Sequence, residues 1–203
     1  MKPKANAASR KKPGNNMPNA DPIAEAIALL DEQQPVDTLE DRLQKAEAFL
    51  SPLPQVHQQT HYLITEDLPT YVLAEAVVKM SPPPVSLAVA TMGFNHAAVA
   101  MFGRLLDAAP NLEIDILAGI ELPAMEPDVV AVAKRDLEGR GVRIFYARNH
   151  SKVTAIQCEG DTFRTLEGSG NMRRCKRMEN LTITAHRQHF EFYSQWIQSF
   201  TRP

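Results

Sequence analysis

The sequence predicts an α/β domain built on a mixed sheet, and three patterns in its 203 residues carry that expectation. Apolar, β-branched runs at Val85–Thr91, Leu112–Ala118 and Val142–Tyr146 alternate with helical stretches near Asn95–Ala109 and Pro127–Gly139, the order of parallel βαβ units. Behind them, Ser151–Gln157 and Thr162–Leu166 flank the turn signal Glu159-Gly160-Asp161 and read as an antiparallel hairpin. The chain then closes with a helix whose Phe190, Phe192, Tyr193, Trp196, Ile197 and Phe200 supply a core face. A composition of 44% hydrophobic and 23% charged residues suits a chain that buries a sizeable core.

Taken in order, residues 1–20 carry Lys2, Lys4, Arg10, Lys11 and Lys12 with no acid and no apolar run, and read as a disordered basic tail. A secretory signal needs an apolar stretch that is missing here, and no segment reaches transmembrane length. A cytoplasmic location without an integral membrane segment is the expectation. Asp21-Pro22 pairs a cap with a proline at the first helical position and starts a helix at Ile23–Leu30; Thr38 begins a second one through Leu50. Together they form an acidic helical hairpin, residues 21–55, with apolar stripes Ile23/Ile27/Leu30 and Leu39/Leu43/Ala46/Leu50 that suit packing on the core. Ser51–Pro54 reads as a linker to the main domain, residues 56–203. There, Asp67 caps a helix running to Met80, and Ser81-Pro82-Pro83-Pro84 delivers the chain to the first core strand. Asn95, just past that strand, suits either a helix cap or a substrate contact at the carboxyl ends of the strands.

The chemistry concentrates after residue 147. His150 and Lys152 at i, i+2 are expected on one strand face, an imidazole beside an ammonium. The returning strand brings Gly168-Ser169-Gly170-Asn171 beside them, where small residues let backbone N–H groups, a hydroxyl and a carboxamide approach a phosphate closely. Glu179 is a candidate carboxylate for accepting an imidazole N–H and aiming the other ring nitrogen. Charge follows the same map. The chain's formal net charge is −2, yet the acids gather in 21–130 while Arg148, Arg173, Arg174, Lys176 and Arg177 surround the motif, with Arg143 leading toward it. Such clustering favours polyanions without sequence readout.

His150, Lys152, Ser169, Asn171 and Glu179 together resemble the HxK…GSxN motif of the phospholipase D superfamily, over roughly residues 67–200. The resemblance implies an α-β-α sandwich and a metal-independent phosphodiesterase with no cofactor, working through a phosphohistidine. One histidine attacks phosphorus while a second protonates the leaving oxygen. Lys152, Ser169 and Asn171 would hold the phosphate, with Arg148, Gly168, Gly170, Arg173, Arg174, Lys176, Arg177 and Asn95 toward the rest of the substrate. His57, His61, His96, His186 and His189 are not followed two residues later by lysine, so the second role requires His150 of another copy: a homodimer with a composite site. Single-motif members of the family, notably small bacterial endonucleases, are built this way, so the resemblance points to DNA or RNA as substrate. One departure is Gln157, where the family carries the aspartate of HxK(x)4D. It motivates the alternative of a catalytically weak or inactive nucleic-acid-binding module. A basic rim facing anionic headgroups motivates another, a lipid phosphodiesterase.

His57 and His61, at i, i+4 beside prolines and without a matching carboxylate, are not expected to bind metal. Cys158 and Cys175 are expected to stay reduced.

Overall fold

A computed structural model describes residues 38–65, 68–173 and 177–202. The tail 1–20, the helix expected at Ile23–Leu30, the cap at Asp67, and Arg174, Cys175 and Lys176 lie outside the described residues. The chain divides into Met1–Val36 and a compact unit, Asp37–Pro203.

The compact unit is an α-β-α sandwich. Its elements run α1 (Leu39–Leu50), β1 (Gln59–Ile64), α2 (Thr70–Lys79), β2 (Pro84–Thr91), α3 (His96–Ala108), β3 (Glu113–Gly119), α4 (Leu122–Met125), α5 (Pro127–Leu137), β4 (Val142–Ala147), β5 (Val153–Cys158), β6 (Thr162–Gly168), β7 (Glu179–Thr184) and α6 (Arg187–Thr201). The seven strands order as β1-β7-β6-β5-β2-β3-β4. β2, β3 and β4 are parallel, as their crossover helices require, while β5, β6, β7 and β1 add antiparallel to them.

Alternation along the central strands assigns the two faces. Leu87 and Val89 of β2, with Ile114 and Ile116 of β3, enter the larger core beneath α1, α2, α3 and α5. Ala88, Ala90 and Ala155 face the other way, and these small side chains let α6 lie close, anchored by Phe190 and Ile197. Phe192 stays 65% exposed, outside that core.

Three expectations change. The helix Leu39–Leu50, assigned to a separate hairpin 21–55, belongs to the compact unit: Leu43, Ala46 and Leu50 are buried in its core. Its start is set by a capping box in which Thr38 and Asp41 bond each other's backbone N–H. The second helix begins at Thr70, after Pro69. β1 was not anticipated; its residues pair from Gln59↔Thr184 to Ile64↔Glu179 and extend the sheet past β7.

Candidate active site

The carboxyl ends of β2, β3 and β4 open at one end of the sheet, and β5 begins there. Parallel strands that stop together leave backbone carbonyls facing outward, and these need donors. Asn149 supplies them. Its side-chain nitrogen donates to Leu117 O at 3.0 Å and Thr91 O at 3.3 Å, while its oxygen accepts from Ser151 N at 2.9 Å. The buried amide thereby pins the turn that presents His150.

His150 and Lys152 come together, though not on a strand face. β5 starts at Val153, so both belong to the preceding turn. The Lys152 ammonium reaches His150 Nδ1 at 2.9 Å and donates to His150 O at 2.7 Å. With Nδ1 accepting, the ring proton is assigned to Nε2. Burial pulls the Lys152 pKa below its ordinary value, and the Glu179 carboxylate partly offsets this.

The second motif segment arrives through the hairpin. Gly168 N donates to Lys152 O at 3.1 Å, joining the end of β6 to the first segment. A Cβ at Gly168 would lie 2.2 Å from Asn180 O, and one at Gly170 would lie 2.5 Å from Thr70 Oγ1, so close packing explains both glycines. Ser169 Oγ donates to Glu179 Oε2 and accepts from Asn180 N at 3.1 Å. Glu179, expected to receive an imidazole N–H, therefore takes the Ser169 hydroxyl. The Asn171 carbonyl oxygen accepts from Met92 N at 3.1 Å, which leaves its NH2 end to donate.

Thr91 joins the two segments. Besides its carbonyl bond to Asn149, its hydroxyl donates to Gly93 O at 2.9 Å and accepts from Met172 N at 3.2 Å. Lys152, Thr91, Gly168, Gly170 and Asn180 line a narrow concavity of only about 10 Å³ here. Neither Asn149 nor Thr91 was singled out as a site residue, because an asparagine beside histidine and a threonine ending a strand have unremarkable sequence contexts.

The surrounding cations are less uniform than their sequence clustering implies. Arg148 and Arg177 are exposed, but Arg173 is paired with Glu126 at 3.2 Å. Arg143 sits at the far end of β4, bonded to Asp115 at 2.6 Å and Glu113 at 2.9 Å; near the start of a strand whose carboxyl end faces the site, it belongs to the fold. Asn95 accepts from Ala98 N at 3.1 Å and so caps α3. Gln157 also lies at the far end, paired in register with Ser86, whose hydroxyl donates to it at 3.3 Å. Among the described residues, no three His, Cys, Asp or Glu side chains gather as a metal set, and no helix is long and apolar enough to cross a membrane.

No protein-family model matches the sequence, and no curated protein matches it. Solved structures do. A phospholipase D family member, Nuc from Salmonella typhimurium, superposes with a TM-score of 0.53 at 14% identity, over 70% of this chain and 93% of that one. Polyphosphate kinase from Porphyromonas gingivalis gives the same TM-score at 13% identity, over 77% of this chain, which spans only 29% of the kinase's length. The chain therefore has the phospholipase D-like fold.

Proposed function

We propose that the protein is a phospholipase D-type phosphodiesterase, a metal-independent endonuclease that cuts nucleic acid in a composite homodimer site. The observation that carries the reading is the junction of the two motif segments: the Lys152 ammonium on the His150 ring, with Gly168 N bonded to Lys152 O. A phosphodiester transition state spreads negative charge over its equatorial oxygens, so cationic clamping and positioning are what a protein must supply. Lys152 and the Asn171 NH2 group are the donors for that task, and Ser169 joins them when its hydroxyl turns from Glu179 to the phosphate.

In this reading, a substrate phosphate draws the Lys152 ammonium toward its oxygens and frees His150 Nδ1 to carry the ring proton. Nε2 of one subunit then attacks phosphorus, forming the N–P bond as the P–O bond to the leaving strand breaks. His150 of the partner subunit, protonated on both ring nitrogens, gives its Nε2 proton to the departing oxygen and is left a neutral imidazole. Water attacks the phosphohistidine, the same partner imidazole accepts the water's proton, and the phosphate end is released. The exposed Arg148 and Arg177 suit contact with a polynucleotide backbone. Because Gln157 meets Ser86 away from the catalytic end, its replacement of aspartate acts on the support of the sheet and not on the phosphate.

The test is cleavage of single-stranded and duplex DNA, and of RNA, in excess EDTA by wild type and His150→Ala. The expected result is EDTA-resistant cleavage abolished in the variant, with sedimentation showing a dimer. Cleavage that needs magnesium, or that survives His150→Ala, would refute the proposal. Nucleic-acid binding without turnover by wild type favours the binding module, and phosphatidic acid release from vesicles favours the lipid enzyme.

A further inference from the structure

At the other end of β6 and β7 lies a second cleft that the catalytic reading does not use. β7 pairs with β6 only from Thr165 onward, so the first residues of β6 lack that neighbour. The chain instead turns through Ala185 into α6, leaving a cavity of about 390 Å³ whose lining includes His57, Asp161, Phe163, Arg164, His186 and Arg187. A volume in that range is ordinary for a small-ligand site.

The lining is cationic and incompletely satisfied. Arg164 Nη1 donates to Phe163 O at 2.9 Å, but its Nε is buried without a hydrogen-bond partner. Such a donor destabilises the fold unless an acceptor arrives. Arg187 stacks over the Phe163 ring, 4.7 Å from its centroid, and pairs with Asp161 at 2.9 Å. His186 Nδ1 accepts from Gln188 N at 3.2 Å, which assigns the ring proton to Nε2 as a donor. The His57 ring lies 4.9 Å from that of His186. Among the described residues, His57 and Asp161 are also the non-glycine residues with left-handed backbone, at φ 66° and 56°. A neighbouring cavity of about 350 Å³ shares His57 and His186 and is lined by His189, whose Nδ1 is likewise buried without a partner.

Planar guanidinium donors, imidazole N–H groups and the amino end of a helix form a donor set for phosphate oxygens. β7 connects this cleft to Glu179 through six residues, about 17 Å at the usual strand rise. That is roughly five stacking steps of a polynucleotide at about 3.4 Å each.

We propose that this cleft is an accessory phosphate site, holding a backbone phosphodiester of the same strand whose scissile phosphate sits at His150 and Lys152; the assignment to the substrate strand rests on the nuclease reading. The experiment compares fluorescence anisotropy of a 12-nucleotide and a 4-nucleotide single strand on the full chain, with wild type and Arg164→Gln/Arg187→Gln. The expected result is an approximately tenfold loss for the longer strand and none for the shorter, with unchanged hydrolysis of bis(p-nitrophenyl) phosphate. The salt slope for the longer strand should fall by about 0.7, the value for one phosphate contact on a single strand. His57→Gln, at an exposed position, gives a smaller loss and serves if the double variant fails to fold. Equal losses at both lengths, or none, overturn the proposal. Titration with inorganic phosphate separates the sources. Phosphate bound by wild type and lost in the variant, with 12-nucleotide affinity intact, overturns the assignment to the substrate strand. If wild type neither binds nor cuts nucleic acid, the nuclease reading fails by itself; phosphate binding then still supports an anion cleft, and its absence overturns that too.

Discussion

Thr91→Val isolates the bond that joins the two motif segments, because it keeps the side chain's branched shape and removes only its hydroxyl. That hydroxyl is buried, donates to Gly93 O at 2.9 Å and accepts from Met172 N at 3.2 Å. Each bond contributes about 1 kcal/mol net, and the stranded Met172 N–H adds a desolvation cost of about 1–3 kcal/mol. Since one bond's worth is already contained in that cost, the expected destabilisation is about 2–4 kcal/mol. For a domain of this size, 1 kcal/mol shifts Tm by about 2–4 °C, so the melting point should fall by about 4–16 °C. If the protein has the proposed phosphodiesterase activity, hydrolysis should fall at least tenfold at temperatures where the variant remains folded, since Met172 follows Asn171 directly. Thr91→Ser, which retains the hydroxyl, should recover most of both losses. Urea unfolding and steady-state kinetics on the three proteins decide it. A Thr91→Val protein within about 0.5 kcal/mol of wild type, or a serine variant as damaged as the valine one, would refute the reasoning.

Asn149→Asp tests the neighbouring amide. A carboxyl group can donate to Leu117 O or Thr91 O only when protonated, so its folded pKa should rise above the unfolded value near 3.9, and the variant should lose stability relative to wild type as pH rises from about 4; a pH-independent difference in urea unfolding would contradict this. Gly168→Ala meets the backbone at Asn180 O and should cost more than about 3 kcal/mol, whereas Gly170→Ala meets only the Thr70 side chain and should be rescued by Thr70→Ala in thermal melts. Failure of that rescue would show the geometry to be wrong. At Asp115, burial raises the pKa, but bonds from Arg143, Arg202 and Thr201 together outweigh it and hold the carboxyl below its usual range. Its stabilisation is thus present above the unfolded pKa near 3.9 and is lost as pH falls through the folded value; the stability gap between wild type and Asp115→Asn should close on acidification, and a constant gap would count against it. Burial pushes the Cys158 thiol up to about 11, so native protein should resist iodoacetamide at pH 8 at this cysteine while unfolded protein reacts, with mass spectrometry reporting the site.

The strands and helices of the parallel half were legible because each has a strong period and a clear boundary: Asn95 caps α3 and Gly160-Asp161 turns the hairpin. β1 was not, since Gln59-Thr60-His61-Tyr62-Leu63-Ile64 lies at a sheet edge and buries fully only Ile64. Its strand character comes from pairing with β7, a partner some 120 positions distant in sequence. At the candidate site, residue types and spacing singled out His150, Lys152 and the Gly168–Asn171 loop, which the fold does bring together, but not that His150 and Lys152 meet in a turn. The β-branched run from Val153 continues smoothly upstream in sequence, whereas the Asn149 side chain bends the backbone at Ser151. Counting charges also overstated the basic rim, because ion pairs such as Arg173 with Glu126 and Arg143 with Asp115 bring together segments far apart in the chain.

The position of the histidine follows from a demand of the fold before any demand of chemistry. β2 has a parallel neighbour on one side and an antiparallel one on the other, so the connections diverge at its carboxyl end, where α/β sheets open a cleft. Opening that cleft exposes the Thr91 and Leu117 carbonyls to an interior with little water, and the Asn149 amide satisfies both. A side chain with two donors and an acceptor on a single carbon stem holds its own backbone close to the strand ends. His150 is the next residue. The same Thr91 receives the second segment through its hydroxyl, so the HxK and GSxN segments are referenced to one backbone point and not merely to each other. Disturbing that point should therefore shift both segments together, and a double variant at Thr91 and Asn149 should cost less than the sum of the two single changes.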